Sequence, residues 1–313
     1  MHLKLRTPRP EDYMLLAAIH NDQNEPDHHT TAERLLASDA RTTAKVPHFR
    51  RLLLEDHGTI VATGVIRGDF GDAPRSDRRW VYLFTHREHR GRGLDTRLLE
   101  RALEADPGPV AEVATTIRAD FVSMTNFLDD VGFEELYRTW GSHLDLTRFD
   151  PAAYDPLVTG LARQGIRLAS YTSLPQSPEL DQRIIAFQRD VEEDAVAFEP
   201  VIPRRQDDLR SEFAMPDTLT LALTHEDEIV GMASLVGPPR GEMIECGFTG
   251  VARAYRSRGI ATVLEARTAA IARELGFSDL NAGGGGADTP CLGLKRKLGY
   301  VIEPAWLTFV RRY

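Results

Sequence analysis

One pattern in this chain occurs twice at a nearly constant distance. Arg90-Gly91-Arg92-Gly93-Leu94 lies 166 positions before Arg256-Ser257-Arg258-Gly259-Ile260, and Val131-Gly132-Phe133 lies 167 before Leu298-Gly299-Tyr300. An offset that drifts by one residue between two separate landmarks marks a duplicated structural unit. The length of 313 residues fits two such units, since domains run to roughly 100–200 residues. The expected domains are 1–150 and 166–313, with 151–165 as the linker, where Asp150-Pro151 and Asp155-Pro156 mark turns around a short apolar helix.

Hydrophobic periodicity gives both units the same element order, and so an α/β (α+β) class. In the first, a strand at Leu3–Leu5 precedes a helix through Tyr13–Ile19 and an amphipathic segment at Ala32–Ala37. Strand-like runs follow at Phe49–Leu54, Thr59–Ile66 and Trp80–Phe84. A helix opens near Gly93 with Leu94, Leu98, Leu99, Ala102 and Leu103 on one face; Val110–Ile117 is a strand, Phe121–Val131 a helix, and Phe133–Leu146 the closing strand or hairpin. The second unit repeats this as strand 166–171, helix 180–191, strands 218–223, 228–236 and 243–251, helix 259–275, strand 279–281, helix 290–298 and strand 300–311.

Composition excludes several classes. With 42% apolar and 27% charged residues the chain is an ordinary globular protein. The net charge of −9 is spread over both halves, with 20 basic and 25 acidic residues in 1–150, so neither half offers the basic surface that nucleic acid requires. No apolar run is long enough to span a bilayer, and the N-terminal Met-His-Leu-Lys-Leu-Arg lacks the apolar segment of a signal peptide, which predicts a cytoplasmic protein. Two cysteines, Cys246 and Cys291, cannot build a disulfide framework and are expected as small packing residues.

The repeated basic turn carries the chemistry. A strand that ends in a glycine-containing turn and opens a helix binds anions, because the first helical N–H groups lack intrahelical partners, the helix dipole is positive there, and glycine lets the backbone approach the ligand. Two stretches carry that context, Phe84-Thr-His-Arg-Glu-His-Arg-Gly-Arg-Gly-Leu94 and Phe248-Thr-Gly-Val-Ala-Arg-Ala-Tyr-Arg-Ser-Arg-Gly-Ile-Ala261.

With these stretches, the helix-then-Leu-Gly-Phe/Tyr ending of each repeat and Leu5-Arg-Thr-Pro-Arg-Pro-Glu-Asp12, the sequence resembles the GNAT superfamily of N-acetyltransferases in a tandem, two-domain arrangement. The resemblance implies that each half is a mixed, mostly antiparallel sheet flanked by helices and splayed between its fourth and fifth strands to admit the pantetheine arm of acyl-CoA. It also implies acetyl-CoA as cosubstrate and no metal; the leading expectation is a small-molecule primary amine as acceptor, in a monomer or homodimer, and the charge balance and lack of apolar runs exclude nucleic acid and membrane as partners. A non-catalytic acyl-CoA sensor and a protein or peptide N-acetyltransferase are the rival readings.

The copies differ where chemistry is expected. In the family pattern Arg/Gln-x-x-Gly-x-Gly/Ala, the second copy matches throughout at Arg256, Gly259 and Ala261, whereas the first has Arg90 and Gly93 but Asp95 in the last place. A carboxylate there would repel a pyrophosphate about 6 Å away by roughly 3 kcal/mol at an effective dielectric of about 20; the other reading is that Asp95 stabilises a helix start no longer needed for CoA. The implied cofactor-binding residues are Thr249, Val251, Arg253, Arg256, Ser257, Arg258, Gly259, Ile260 and Ala261, with Thr85, Arg90, Gly91, Arg92 and Gly93 as a vestigial site. The glutamate that often serves as base six residues before the hydrophobic position of the motif falls on Glu245, and the matching residue in the first copy is Arg79, which cannot accept a proton. Strand-four N–H groups around Phe248–Val251 would polarise the thioester. The tyrosine usual as general acid is absent: Lys295 stands there in the second copy and Leu128 in the first, and Lys295 is expected at the surface or on a CoA phosphate.

Weaker features complete the reading. The run Asn281-Ala-Gly-Gly-Gly-Gly-Ala-Asp288 is a flexible loop or a close-approach surface, and Asp288 a helix N-cap. Glu192-Glu193-Asp194 is either a solvated helix end or an attractor for an amine. Asp27-His28-His29 and His86-Arg-Glu-His89 lack a third ligand spaced for zinc and are read as loop residues.

Overall fold

In the computed structural model, residues 3–22, 29–69, 75–106, 108–194, 218–237, 243–286 and 290–313 are described. They form two compact units, one of Met1–Leu136 with Leu307–Tyr313, the other Tyr137–Trp306.

The first unit contains β1 (Leu3–Arg6), α1 (Tyr13–Asn21), α2 (Ala32–Lys45), β2 (Arg50–Asp56), β3 (Thr59–Gly68), β4 (Arg78–Thr85), α3 (Leu94–Glu104), β5 (Glu112–Arg118), α4 (Val122–Asp130) and the start of β6 (Glu134–Asp145). Strands β1 to β4 are antiparallel neighbours in sequence order, and β4 runs parallel to β5. The apolar stripe of α3 buries Leu94, Leu98 and Leu99 to 1% exposure or less against the sheet. Thr31 starts α2, its hydroxyl accepting the Arg34 N–H at 3.2 Å.

The second unit contains most of β6, then α5 (Asp155–Arg163), β7 (Arg167–Ser170), α6 (Pro178–Glu193), β8 (Thr220–Leu223), β9 (Ile229–Val236), β10 (Met243–Val251), α7 (Ile260–Glu274), β11 (Asp279–Gly285), α8 (Pro290–Leu298) and β12 (Val301–Ile302). Its strands β7, β8, β9 and β10 are antiparallel neighbours, β10 runs parallel to β11, and β6 closes the sheet antiparallel to β11. Ser177 accepts the Leu180 N–H at 3.2 Å and Pro178 follows it, which together start α6. The core lies on both faces. Ile184 and Phe187 of α6 cover one, and Leu264, Ala269 and Ala272 of α7 cover the other.

Two expectations change. The reading that each copy closes its own sheet is corrected by β6 and β13 (Trp306–Arg312): β6 completes the second unit, and β13 lies beside β5 in the first. There Thr308 bonds Thr116 at 3.0 Å, and Arg312 joins Arg75 and Arg78 on the buried Glu112 carboxylate. Alternating apolar residues specify which face of a strand is buried and carry no mark of its neighbour, so copies of one strand can trade sheets without sequence cost. The run 279–285, read in part as a flexible loop, is a strand throughout: Gly283, Gly284 and Gly285 pair with Gly141, Trp140 and Thr139. The helix in the expected linker is present as α5, and it belongs to the second unit. Asp288, Asp27 and His28 lie outside the described residues.

Candidate active site

Strands β10 and β11 pair at Met243–Asp279, Ile244–Leu280 and Glu245–Asn281, and no further pair is formed among the described residues. On its other edge β10 stays paired to β9 as far as Val251 opposite Gly231. The sheet is therefore open beside β10 from Cys246 onward. Within that stretch the register slips, because Cys246 opposes Leu235 while Thr249 opposes Ala233, which leaves one extra residue on β10. Gly247 occupies this bulge, where a Cβ would lie 2.6 Å from Ser234 Oγ and 2.7 Å from Val236 Cγ2. Ser234 Oγ accepts the Phe248 N–H at 3.0 Å, so that amide is already bonded and leaves the set expected to polarise the thioester.

The first unit has the opening without the bulge. Strands β4 and β5 pair from Arg78–Glu112 to Trp80–Ala114 and then part, but β3 and β4 run in unbroken register from Gly68–Arg79 to Ala62–Thr85.

The basic turns are built alike. In the second unit β10 leads through the short turn Arg253–Tyr255 to Ser257, at φ +64°, and Gly259, at φ +86°. These left-handed residues turn the chain into α7, whose first amides, from Ile260 on, have no intrahelical acceptor. Arg256 donates from Nε to the Val251 carbonyl at 3.2 Å and from Nη2 to Asp194 at 2.9 Å. In the first unit Arg90 does the same, with Nε on the Thr85 carbonyl at 3.3 Å and Nη2 on Asp22 at 2.5 Å. Gly91 and Gly93 there have φ of +72° and +70°. The motif arginine therefore pins the turn to the strand end and to the end of the unit's first long helix, and Asp194, weighed above as an amine attractor, is its partner. The turn's remaining cations are Arg253, which is exposed, and Arg258, which lies 4.9 Å over the Tyr255 ring. Ile260 and Val251 are buried in the core, and Ala261 and Thr249 are half-buried.

Asp95 is half-buried beside the end of β4. Its carboxylate accepts the Thr85 hydroxyl at 2.5 Å at the start of α3. Burial raises its pKa, more than Thr85 and Arg90 lower it. The matching residues of the second unit, Val251 and Ala261, put no carboxylate there.

At the expected base position the units diverge most. Ile244 and Cys246 pack with α7 and α8, and Phe248 packs with α6, so the intervening Glu245 is exposed on the α6 face of β10 at the last residue before the opening. Arg79 is 1% exposed and bonded to Asp106 through Nε at 3.1 Å and Nη2 at 3.0 Å, with Nη1 on the Ser76 and Arg78 carbonyls. Asp106 also accepts the Gly108 N–H; although burial raises its carboxyl, Arg79 and that N–H bring it below its ordinary value. A permanent cation is locked into this fork, where no proton can be taken up.

Lys295 corrects the expectation of a surface residue. It is 4% exposed, with Nζ 2.6 Å from Glu265 Oε2 on α7, 3.6 Å from Cys246 Sγ on β10 and 4.6 Å from the Tyr300 ring centroid. Burial alone would lower its pKa; Cys246 and Glu265 more than offset this and leave it raised. Burial, helped by Glu265, pushes the Cys246 thiol up to about 12, which makes it a protonated packing group and no nucleophile. Cys291, also expected as a packing residue, is exposed. Leu128 at the corresponding place in the first unit is buried and apolar. The spacing Leu292, Lys295, Leu298 puts Lys295 on the buried face of α8, a helical signal present in the sequence.

Among the described residues no group of three or more His, Cys, Asp and Glu side chains is placed to hold a metal, and no helix is long and apolar enough to cross a membrane. His86 and His89 stack edge to face at 5.7 Å in the first unit's turn.

No curated protein matches this sequence. Over 99% of its length it is similar in structure to a GCN5-related N-acetyltransferase from Sphaerobacter thermophilus, at 20% identity and a TM-score of 0.68, covering 95% of that chain. It is also similar to a tandem GNAT protein from the clavulanic acid biosynthesis pathway, at 16% identity and a TM-score of 0.58, covering 98% of that chain. A third structure, a glucosamine N-acetyltransferase region within a fungal multi-domain β-N-acetylglucosaminidase, matches at 14% identity and a TM-score of 0.67 over 38% of its length. These likenesses establish the fold. The sequence profile of the acetyltransferase (GNAT) family matches residues 14–133 and again residues 186–300, and with two such domains the chain belongs to that family.

Proposed function

We propose that the second unit catalyses acetyl transfer from acetyl-CoA to the primary amine of a small molecule, by direct attack with both substrates bound, and that the first unit is a degenerate copy. The observation that carries this is the contrast at one position: Glu245 is exposed beside the opened, bulged stretch of β10, while Arg79 is buried in an ion pair on the unbulged β4.

The second unit's residues fit acyl-CoA. The left-handed turn and free amides at the start of α7 suit a pyrophosphate, with Arg253 and Arg258 beside it and Arg256 holding the turn in shape. The cosubstrate supplies an activated thioester. Glu245 takes the proton from the attacking amine, directly or through water, and its exposure leaves it free to exchange that proton with solvent. The Phe248 amide is taken by Ser234, so the other amides of the bulged stretch of β10 are the ones left to donate to a developing oxyanion. The acidic net charge of −9 favours a cationic amine, and the lack of a basic half agrees with an acceptor other than nucleic acid.

A second reading, a non-catalytic acyl-CoA sensor, is favoured by Lys295, whose ammonium is tied to Glu265. Amine-dependent release of CoA thiol across an amine panel separates the two. Catalysis predicts release with at least one amine and a loss of about 100-fold or more in Glu245→Gln with acetyl-CoA binding retained. Binding without release for any amine supports the sensor. Unchanged release in Glu245→Gln removes Glu245 as the base.

A further inference from the structure

Trp140 is 6% exposed, and its indole N–H is shut off from solvent without a hydrogen-bond partner among the described residues. A buried indole N–H normally finds an acceptor, so this one calls for a reason. Its place in the fold supplies one. Trp140 stands on β6 opposite Gly284 of β11, three residues beyond Asn281, where β11 has already lost β10 as a neighbour. A Cβ on Gly284 would lie 2.7 Å from Trp140 Cζ2, 2.9 Å from Cε2 and 3.1 Å from Nε1. The ring thus lies over the backbone of β11 at Gly284, in space that only glycine leaves open, on the stretch of that strand from which β10 has withdrawn. Trp140 belongs to the same buried cluster as Ile244 and Leu292, which places it on the α7–α8 face of the sheet.

We propose that the Trp140 indole N–H is a binding-site donor of the second unit, bonding a carbonyl of the arm of acyl-CoA, either a pantetheine amide or the thioester itself. The assignment rests on the reading that the opening beside β10 receives that arm. It makes the site composite in sequence: the first repeat contributes its last strand, and with it this donor, to the sheet of the second. An arm carbonyl provides the acceptor that the described residues do not, in a setting where a hydrogen bond competes little with water.

The test uses the full chain and Trp140→Phe, which keeps the ring over Gly284 and removes the N–H. Titration calorimetry with acetyl-CoA, CoA and adenosine 3′,5′-bisphosphate separates the sources, because CoA lacks the thioester carbonyl and the bisphosphate lacks the arm. The expected result is about tenfold weaker binding of acetyl-CoA, about 1.4 kcal/mol, with the bisphosphate unchanged. An equal loss for CoA assigns the bond to an amide, and no loss for CoA assigns it to the thioester. Unchanged affinity for all three overturns the proposal, as does an equal loss for all three, which would mark Trp140 as structural only. Should Trp140→Phe fail to fold, the unmutated chain still decides: the Trp140 indole N–H resonance must shift with acetyl-CoA and stay put with the bisphosphate, and a resonance unmoved by either overturns the assignment. If the unmutated chain binds no acetyl-CoA, the functional reading falls, whereas normal binding with an indifferent Trp140 refutes only this inference.

Discussion

Replacing Lys295 with Met should destabilise the second unit by about 3–5 kcal/mol, because it strands Glu265 in the core. The side chains of Lys295 and Glu265 are 5% and 3% exposed, and their charged atoms are 2.6 Å apart. At an effective dielectric of about 20, two unit charges at that separation attract by roughly 6 kcal/mol, which is set against a desolvation penalty of several kcal/mol for each ion. The intact pair therefore adds little net stability, while half of it is costly. Lys295→Met retains an unbranched apolar chain beside Tyr300, so the loss measures the stranded carboxylate more than a cavity. Glu265→Leu combined with Lys295→Met should recover most of the deficit, which gives a coupling energy of about 2 kcal/mol or more in a double-mutant cycle. Urea unfolding followed by circular dichroism at pH 7 reads all four proteins. A pH series adds a second check: the folded pKa of Lys295 is raised above its ordinary 10.5, so its contribution is fully present below about pH 10.5 and is lost as pH rises through the folded value. A single-mutant loss below about 1 kcal/mol, or a double mutant no better than the single, would refute the buried-pair reasoning.

Three further outcomes follow from the first unit. Arg79→Met strands the fully buried Asp106 side chain and should cost about 3–5 kcal/mol in denaturant unfolding, yet leave turnover per folded molecule unchanged; a fall in kcat would place chemistry in that half. Asp95→Asn should be neutral or stabilising by about 1 kcal/mol at pH 7, since burial raises the Asp95 pKa and the folded state resists its ionisation; the gain should vanish as pH drops through that pKa, which melting curves at pH 7 and pH 4 would show. Truncation before β13 removes the Thr308–Thr116 and Arg312–Glu112 contacts, so limited proteolysis should digest residues 1–136 faster while sparing 137–305; equal digestion would contradict the strand exchange.

The repeat was legible because its landmarks rest on backbone requirements. Gly93 and Gly259 must hold positive φ at a helix start and Gly132 and Gly299 at a helix end, and glycine is the residue that tolerates this. Helix α7 was legible from its apolar stripe, and the divergence of Glu245 from Arg79 from counting within the motif. What stayed hidden depends on neighbours. The exchange of β6 and β13 leaves no trace in strand patterns that encode faces alone. Arg256 reads as a phosphate ligand until Asp194, 62 residues away in sequence, is found on its guanidinium. Lys295 reads as exposed because charge is the commoner surface signal, and the partner that permits its burial, Glu265, is 30 residues away on another helix. The bulge was half visible: Gly247 inside a strand is a known mark of one, but the register slip against β9 is a property of the pair.

The position of bound acetyl-CoA distinguishes the two halves most directly. A crystal structure of the full chain with acetyl-CoA should show one molecule in the second unit, its arm between β10 and β11 past Glu245 and Asn281 and its pyrophosphate on the amides that open α7, with Trp140 Nε1 on an arm carbonyl. Acetyl-CoA bound only at Arg90–Leu94, between β4 and β5, would contradict the assignment of the two halves.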